Sequence, residues 1–301
     1  MIRFLRGEIV NSKLNNIFKS SDIMQIDDST KIVIMSDCHR GAGDNYDNFF
    51  KNRNIYDAAL QYYFNNDFIY VELGDGDELW EVGDCKDIVD IYINTFKIIK
   101  KFSDNKRLIM IYGNHDIEKK SNEVLEYCFK NYFDNSTNKI EKLLENLDVN
   151  ESLILKYYDC DIFLLHGHQV DILNGYLWFF SRFLVRKVWK FLEHLGVNDF
   201  TSVAKNNQVK SNVEKRLKKW SVDNNKIVIA GHTHRAVFPV VGDSLYFNDG
   251  SCVHPNGITC IEIKNGKISL IKWEYGVNKN GWIQVERKIL ESEKNIQDFF
   301  L

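Results

Sequence analysis

The chain lacks any long run of uncharged apolar residues, any closely spaced pair of cysteines and any strong excess of one charge. Nothing in it approaches the roughly 20 apolar residues of a membrane-spanning helix, and its first residues lack the apolar stretch and cleavage site of a secretory signal. The six cysteines form no metal-type pairs, so we expect reduced thiols. A net charge of -3 argues against a general nucleic-acid-binding protein. These absences predict a cytoplasmic protein without a stable nucleic-acid partner.

What the chain does contain is enough apolar sequence for one large core. Of its 301 residues, 44% are hydrophobic, and there is neither an internal repeat nor a low-complexity tract. We therefore expect a single domain over residues 1–301.

Five short apolar runs each end in a cluster of aspartate, histidine or asparagine. The runs are rich in β-branched and aromatic residues, which is typical of buried strands. They cover residues 31–35, 68–73, 107–112, 161–165 and 226–230, and the clusters that follow are Ser36-Asp37-Cys38-His39, Gly74-Asp75, Gly113-Asn114-His115-Asp116, His166-Gly167-His168 and Gly231-His232-Thr233-His234. Because functional groups in open α/β sheets gather beyond the carboxyl ends of strands, we expect the five clusters to meet at one site.

The clusters have the residue types and the spacing of metal ligands. Asp37 and His39 are two residues apart, as are His232 and His234, so both members of each pair can reach one centre. The glycines beside them suit a chain that turns sharply near a bound ion or phosphate. Carboxylate, imidazole and amide donors favour manganese, iron or zinc, and seven candidate ligands are too many for one tetrahedral ion. The sequence therefore predicts two metal ions that share a carboxylate.

In order and composition, the clusters from residue 37 to residue 234 resemble the motifs of the calcineurin-like metallophosphoesterase superfamily. The resemblance implies an α/β fold, a four-layer α-β-β-α sandwich of two mixed sheets. It also implies two divalent metal ions, manganese first and iron or zinc as alternatives. One ion would be held by Asp37, His39, Asp75 and His234, and the other by Asp75, Asn114, His166 and His232, with Asp75 as the bridge.

The same resemblance assigns catalytic roles. His115 would contact the phosphate or protonate the leaving oxygen, and Asp116 would hold its imidazole. Asp75 is the expected bridge because it directly follows a strand, although Asp77 lies only two residues further on. Two cations lower the pKa of a shared water and polarise the phosphoryl oxygens. The expected activity is hydrolysis of a phosphoester or pyrophosphate by a metal-bridging hydroxide.

Two residues near the motifs are candidates for substrate contacts. The fork of donors on Arg40 could reach a substrate phosphate, and a surface salt bridge is the alternative. His168 is expected either beside the phosphate or in a structural role.

Between the motifs, helix-like apolar spacing recurs in residues 47–65, 86–104 and 119–147, and the first 30 residues favour a helix with a short lead-in. Four strand-like runs follow the last motif, with turns at Asn265-Gly266 and Asn280-Gly281. They cover residues 244–248, 257–263, 267–273 and 281–286, and we expect them to complete the second sheet.

The stretch from about residue 172 to 222 is expected to form a helical lid insert. Its first part is aromatic but too charged to span a membrane, and a second helix is predicted from about Ser202 to Trp220. Residues 172–220 carry ten lysines and arginines against three acidic residues, a local charge of about +7. The candidate substrate contacts in this basic, aromatic insert are Trp178, Arg182 and Arg186.

The insert resembles the helical lid of the UDP-2,3-diacylglucosamine pyrophosphohydrolases, which hold acyl chains with it. The runs 78–84 and 231–235 resemble that branch too. That branch has arginine where this chain has His115, and aspartate where it has His168. The resemblance implies a phosphorylated small-molecule, nucleotide-sugar-like or lipid-like substrate and peripheral contact of the lid with the inner membrane face. A structural helical pair is the alternative for the insert.

The predicted metal ligands are common to enzymes that cleave monoesters, diesters and pyrophosphates, so they do not show which of these bonds is cleaved. A Ser/Thr phosphoprotein phosphatase and a nuclease are alternatives on the same fold, against which an apolar lid argues, because their substrates need an open polar groove. A non-catalytic scaffold is a further alternative, although none of the expected ligands is missing. Oligomeric state does not follow from the sequence.

Overall fold

The computed structural model describes residues 2–44, 47–171 and 207–300, which contain fourteen strands and six α-helices. The strands are β1 (Asp22–Ile26), β2 (Ile32–Met35), β3 (Ile69–Leu73), β4 (Leu108–Ile111), β5 (Asn131–Asp134), β6 (Lys139–Lys142), β7 (Val149–Asn150), β8 (Ser152–Tyr157), β9 (Cys160–Leu165), β10 (Ile227–Ala230), β11 (Tyr246–Asn248), β12 (Ile258–Lys264), β13 (Lys267–Val277) and β14 (Ile283–Asn295). The helices are α1 (Ile2–Ser20), α2 (Arg53–Asn65), α3 (Cys85–Ile91), α4 (Ile93–Asp104), α5 (Asn122–Phe129) and α6 (Asn207–Asn224).

Most strands belong to two mixed sheets. The seven-stranded sheet has the order β14-β13-β12-β2-β3-β4-β7, in which β2, β3, β4 and β7 run parallel and β12, β13 and β14 are antiparallel. The five-stranded sheet has the order β1-β8-β9-β10-β11, with one antiparallel pair between β8 and β9. β5 and β6 form a separate hairpin.

Alternate residues of β2 pack into different apolar clusters, and these clusters define the layers. Ile32 and Ile34 pack between the two sheets, whereas Val33 and Met35 pack with residues of α2 to α5. A third cluster joins β9 and β10 to α1 and α6. Every residue of β2 is buried, which explains its uninterrupted apolar run. The order helices, sheet, sheet, helices confirms the four-layer α-β-β-α sandwich, and all five strands that precede the motifs are confirmed as β2, β3, β4, β9 and β10.

Two predictions about secondary structure are wrong in part. Residues 119–147 form an α-helix only at Asn122–Phe129, after a 3-10 turn at Ile117–Lys120, and the β5–β6 hairpin follows, turning at Asn138 with a φ of 55°. Of the strands after the last motif, β11 joins the five-stranded sheet, but β12, β13 and β14 extend the seven-stranded sheet beside β2. The lead-in at Asp22–Ile26 is an edge strand, because it pairs in parallel with β8. The spacing of apolar residues thus predicts the strands themselves but not which strands pair with one another.

Cys85 and Cys128 form a disulfide, which corrects the expectation of six reduced thiols. The two residues are 43 positions apart in the sequence, and the packing of α3 against α5 brings them together. Sequence spacing alone gives no sign of this pairing. The other four cysteines are free and buried.

Residues 172–206 lie outside the described part of the chain, and with them the predicted contacts Trp178, Arg182 and Arg186. The second helix of the predicted insert is α6, which packs Val213, Leu217 and Trp220 against the outer face of the five-stranded sheet. This part of the insert is therefore a layer of the sandwich. None of the described helices combines the length and apolar character that crossing a bilayer requires.

Candidate metal centre

The carboxyl ends of five strands bring the predicted clusters together at one edge of the sandwich. The Asp37 N–H donates to the carbonyl of Gly74 at 3.0 Å and the His39 N–H to that of Asp75 at 2.9 Å, so the loops after β2 and β3 stay paired beyond their strands. In the other sheet, the loops after β9 and β10 are joined by a hydrogen bond from Gly231 N–H to the carbonyl of His166 at 3.0 Å. The His232 N–H donates to Asp37 Oδ2 at 2.8 Å, so the loops of the two sheets also meet each other.

Five of the predicted ligands have a left-handed backbone, which residues other than glycine rarely adopt. They are Asp37, His39, Asp75, His232 and His234, with φ between 49° and 66°. Each such residue costs on the order of 1–3 kcal/mol and persists only where the surroundings hold it. These five are among the twelve non-glycine residues of the described chain with positive φ. The curled backbone lets Asp37 and His39 share one donor group, whereas His234 belongs to that group and His232 to the other.

Asp37, His39 and His234 form the first group of possible metal donors, with one donor atom of each within 4.8 Å of the others. His39 Nε2 lies 3.3 Å from His234 Nε2, and His234 Nε2 lies 3.0 Å from Asp37 Oδ1. Two imidazole nitrogens and a carboxylate oxygen that converge in this way suit a divalent transition metal.

Asp75, His166 and His232 form the second group, within the same 4.8 Å limit. His166 Nδ1 lies 2.9 Å from the carbonyl of Leu73, which assigns its proton to Nδ1 and leaves the lone pair of Nε2 facing Asp75 Oδ2 at 3.1 Å. The same Oδ2 lies 3.7 Å from His39 Nε2. Asp75 therefore lies between the two groups.

Among the predicted ligands, three buried donor atoms have no hydrogen-bond partner within the described residues: Asp37 Oδ1, Asn114 Oδ1 and His166 Nε2. Asp37 Oδ1 lies 3.0 Å from His234 Nε2 and His166 Nε2 lies 3.1 Å from Asp75 Oδ2, but neither contact has the geometry of a hydrogen bond. Buried polar atoms are rarely left unpaired, because desolvation is costly. All three atoms carry lone pairs, and all three belong to predicted ligands. The residues present therefore fit a metal-binding site with carboxylate, imidazole and amide donors.

Electrostatics keep the two central carboxylates ionised. Burial by itself would raise the pKa of Asp37, but the imidazoles of His234 and His166 hold it well below its ordinary value. Burial acts in the same way on Asp75, and the imidazoles of His166 and His115 hold the pKa of this carboxyl well below its ordinary value too. Both side chains are therefore anionic at neutral pH, as metal ligands must be.

The imidazole of His115 is held by Glu78, which corrects the expectation that Asp116 would hold it. His115 Nδ1 lies 2.9 Å from Glu78 Oε1 and 2.8 Å from Oε2. Asp116 instead accepts backbone hydrogen bonds from Gly113 at 2.6 Å and Gly76 at 3.0 Å. The only indication of this contact in the sequence is the pair of acidic residues directly after Gly76, of which Glu78 is the second.

Arg40 is buried beneath the centre, which corrects the expectations of a phosphate contact and of a surface salt bridge. Its guanidinium is fully buried and donates to Glu72 at 2.8 and 3.0 Å and to Asp77 at 2.6 Å. Lys119 Nζ lies 2.7 Å from Asp77 and 2.8 Å from Asp116. Despite burial, Arg40 and Lys119 lower the pKa of Asp77 to about 2. This buried network joins the loops after β2, β3 and β4.

We expect Arg40→Met to lower the free energy of unfolding by about 3–5 kcal/mol, because it leaves buried carboxylates without a cation. Urea denaturation of the purified variant measures the change. Lys100→Met, which removes an exposed pair with Asp104, is the matched control and should cost less than about 1 kcal/mol. An Arg40→Met protein of full stability with weakened substrate binding would restore the original expectation.

His168 and Asp171 line the buried side of the second group. The His168 ring lies 5.6 Å from that of His166, and burial together with the imidazoles of His166 and His232 lowers its pKa well below the usual value. Asp171 Oδ2 lies 3.4 Å from His232 Nε2, a contact with no signal in the sequence, because Asp171 lies outside the five motifs. A substrate contact by His168 stays a prediction.

The structure is a two-sheet α/β sandwich with two groups of possible metal donors at the ends of its strands. The model of the calcineurin-like phosphoesterase superfamily domain matches residues 30–265, and the chain belongs to this superfamily. Membership supports a metal-dependent phosphoesterase in general, since divalent metals are typical of the superfamily, and the two donor groups agree with it. A search of the curated proteins found no match.

The solved structures that match this chain share little sequence with it. A conserved uncharacterized protein from Streptococcus pneumoniae, described as a predicted phosphoesterase, is 13% identical, with a TM-score of 0.36 and coverage of 86% of this chain and 97% of that one. Vps29 from Entamoeba histolytica is 15% identical, with a TM-score of 0.38 and coverage of 87% and 100%. A cold-active protein-tyrosine phosphatase from a Shewanella species is 15% identical, with a TM-score of 0.40 and coverage of 90% and 83%. Similarity at this level has no bearing on the substrate.

Proposed function

We propose that this chain is a hydrolase of phosphoester or pyrophosphate bonds that depends on two divalent metal ions. The observation that carries the proposal is the pair of donor groups on either side of Asp75, with lone pairs that find no partner among the described residues. Superfamily membership supports the reaction class. Manganese suits the mixture of carboxylate, imidazole and amide donors, and iron and zinc are the other candidates.

The assignment of ligands follows the two groups. Asp37, His39, Asp75 and His234 would hold one ion, and Asp75, Asn114, His166 and His232 the other. A pair of ions supplies hydroxide near neutral pH and neutralises charge on the phosphoryl group.

His115 is the residue placed to give a proton to the leaving oxygen. Its Nδ1 faces Glu78, so its Nε2 is free to face a substrate, and its side chain is 25% exposed against 13% for that of His39. Burial lowers the pKa of His115, but the carboxylates of Glu78 and Asp75 outweigh this effect and raise it. In the chain without bound ions, the proton is therefore retained to higher pH than on a free imidazole.

The test combines metal analysis with a substrate panel. Protein purified without chelator should contain two divalent ions per chain. The manganese-loaded protein should hydrolyse at least one of bis-p-nitrophenyl phosphate, p-nitrophenyl phosphate, a UDP-sugar and a phospholipid, lose this activity with chelator and regain it with manganese. A protein with neither stoichiometric metal nor hydrolysis would be a scaffold, and the proposal would fail.

For the substrate we propose a lipid-like or nucleotide-sugar-like phosphate, handled by a cytoplasmic protein that touches the inner membrane face. The support is the basic, aromatic sequence of the predicted insert. In the same panel, replacement of Trp178, Arg182 and Arg186 by alanine should reduce turnover of the phospholipid or UDP-sugar more than that of p-nitrophenyl phosphate. An equal loss on all substrates contradicts this assignment.

A further inference from the structure

A single carboxylate contacts two imidazoles that come from different loops. Glu78 Oε2 lies 3.0 Å from His39 Nδ1, and Glu78 Oε1 lies 2.9 Å from His115 Nδ1. The two rings stand edge to face, with centroids 4.6 Å apart and planes at 81°. The side chain of Glu78 is only 12% exposed. One predicted metal ligand and the candidate proton donor therefore share one acceptor.

The backbone around Glu78 is fixed to the loops that carry both histidines. The Glu78 N–H donates to the carbonyl of Arg40 at 3.0 Å, and the Leu79 N–H donates to the carbonyl of His115 at 3.1 Å. Arg40 is itself held by the buried ion pairs. The carboxylate thus extends from a segment that is anchored on both sides, which limits the positions it can take.

Trp80 holds the face of the same imidazole. Its ring stacks on that of His115 with centroids 4.3 Å apart and planes 24° from parallel, and Trp80 is only 4% exposed. Stacking on an indole favours a cationic imidazole and restricts rotation of the ring. His115 is therefore held at Nδ1 by Glu78 and on one face by Trp80.

These contacts determine which half of the centre His115 serves. Because Glu78 accepts from Nδ1 of both rings, Nε2 of each points away from it, and His39 Nε2 lies 3.3 Å from His234 Nε2. Donor atoms of His115, His39 and Asp75 lie within 4.8 Å of one another, whereas the group of Asp75, His166 and His232 does not include His115. The imidazole of His115 thus stands beside the His39 group.

We propose that Glu78 and Trp80 are positioning residues that place His115 over the His39 half of the centre, and that Glu78 couples this placement to metal binding through His39. The inference rests on the proposed hydrolase function. In the step concerned, the attacking oxygen forms a new bond to phosphorus and the electron pair of the breaking P–O bond goes to the leaving oxygen. His115 Nε2 gives its proton to that oxygen, which departs on the His39 side.

The first arm of the test varies how strongly the leaving group needs a proton. The isosteric variant Glu78→Gln should lower kcat on phenyl phosphate by about 10²-fold, with KM unchanged, because a basic leaving group needs a correctly placed acid. On p-nitrophenyl phosphate, whose leaving group needs little protonation, kcat should fall by less than about 5-fold. In a His115→Ala background, assayed at saturating Mn²⁺ so that weaker metal binding has no effect, Glu78→Gln should cause no further loss on phenyl phosphate. Trp80→Leu should show the same selectivity for phenyl phosphate with a smaller loss, and Trp80→Phe should retain most activity.

The second arm measures Mn²⁺ binding by calorimetry without substrate. Glu78→Gln should weaken one of the two ions by about 10- to 100-fold through His39, whereas His115→Ala should leave both affinities unchanged.

The matched control is Asp116→Asn, the neighbouring carboxylate that does not face the imidazole. It should reduce turnover of both esters by the same factor. If Glu78→Gln also lowers both equally and leaves Mn²⁺ affinity unchanged, its role is structural and the inference is overturned. If the wild-type protein hydrolyses no member of the substrate panel, the proposed function fails, whereas an unchanged Mn²⁺ affinity in Glu78→Gln overturns the coupling through His39.

Discussion

Replacing Asp75 with asparagine should remove metal binding and hydrolysis together. The Asp75 carboxylate lies between the two donor groups, 3.1 Å from His166 and 3.7 Å from His39, and its other oxygen accepts the His115 N–H at 2.8 Å. Since bound ions contribute several kcal/mol to transition-state stabilisation and 1.36 kcal/mol is a factor of ten, kcat should fall by about 10³-fold or more. Elemental analysis of the purified variant and its turnover of bis-p-nitrophenyl phosphate measure both effects.

Asp77→Asn is the matched control for this variant. Asp77 is the other acidic residue in the same loop, but its carboxylate faces Arg40 at 2.6 Å and Lys119 at 2.7 Å beneath the centre. This variant should be less stable yet keep its metal ions. The reverse pattern, with ions lost in Asp77→Asn and kept in Asp75→Asn, would move the bridge to Asp77.

His115→Ala should keep both ions and lose the chemical step. The change removes none of the predicted ligands, and the Nδ1 of His115 faces Glu78 and not a ligand. Loss of a positioned general acid costs about 10²- to 10⁴-fold, so kcat on a substrate with a basic leaving group should fall within that range. Turnover at saturating substrate is measured alongside the metal content of the same preparation. A variant with full metal content and full turnover would show that His115 has no part in the mechanism.

The sequence carries the strands and ligands of the centre because those signals are local. Each of β2, β3, β4, β9 and β10 is a short β-branched run that ends at a polar cluster, and burial on both faces makes the apolar run continuous. Because neighbouring strands are parallel, their carboxyl ends and the clusters that follow them lie at the same edge of the sheet. Metal binding itself, and the roles of the individual ligands, stay predictions.

The position of Arg40 next to a predicted ligand in the sequence does not place its side chain at the centre. It follows His39 directly, yet it is buried beneath the centre together with Cys38, whereas Asp37 and His39 lie among the converging donors. The left-handed backbone at Asp37 and His39 curls this segment, and the Arg40 side chain turns away from the donors into the buried ion pairs. The sequence gives no sign of this turn, so adjacency to His39 was not a guide to where Arg40 lies.

Other features depend on contacts between distant segments and have no local signal. The pairing of Cys85 with Cys128 requires the packing of α3 on α5. The contact between Glu78 and His115 requires two loops to meet beyond their strands, and the motif instead suggested the adjacent Asp116. In each case the sequence shows which residues are present but not which ones meet.

Each donor group combines side chains of both sheets. Asp37 and His39 follow a strand of the seven-stranded sheet and His234 one of the five-stranded sheet, while the other group joins Asp75 to His166 and His232 in the same manner. An ion bound by either group would cross-link the two sheets at the edge of the sandwich where the apolar core between them ends. Chelation should therefore speed amide hydrogen exchange at the ends of β2 and β10 before it affects the outer helices, because the halves can separate at that end.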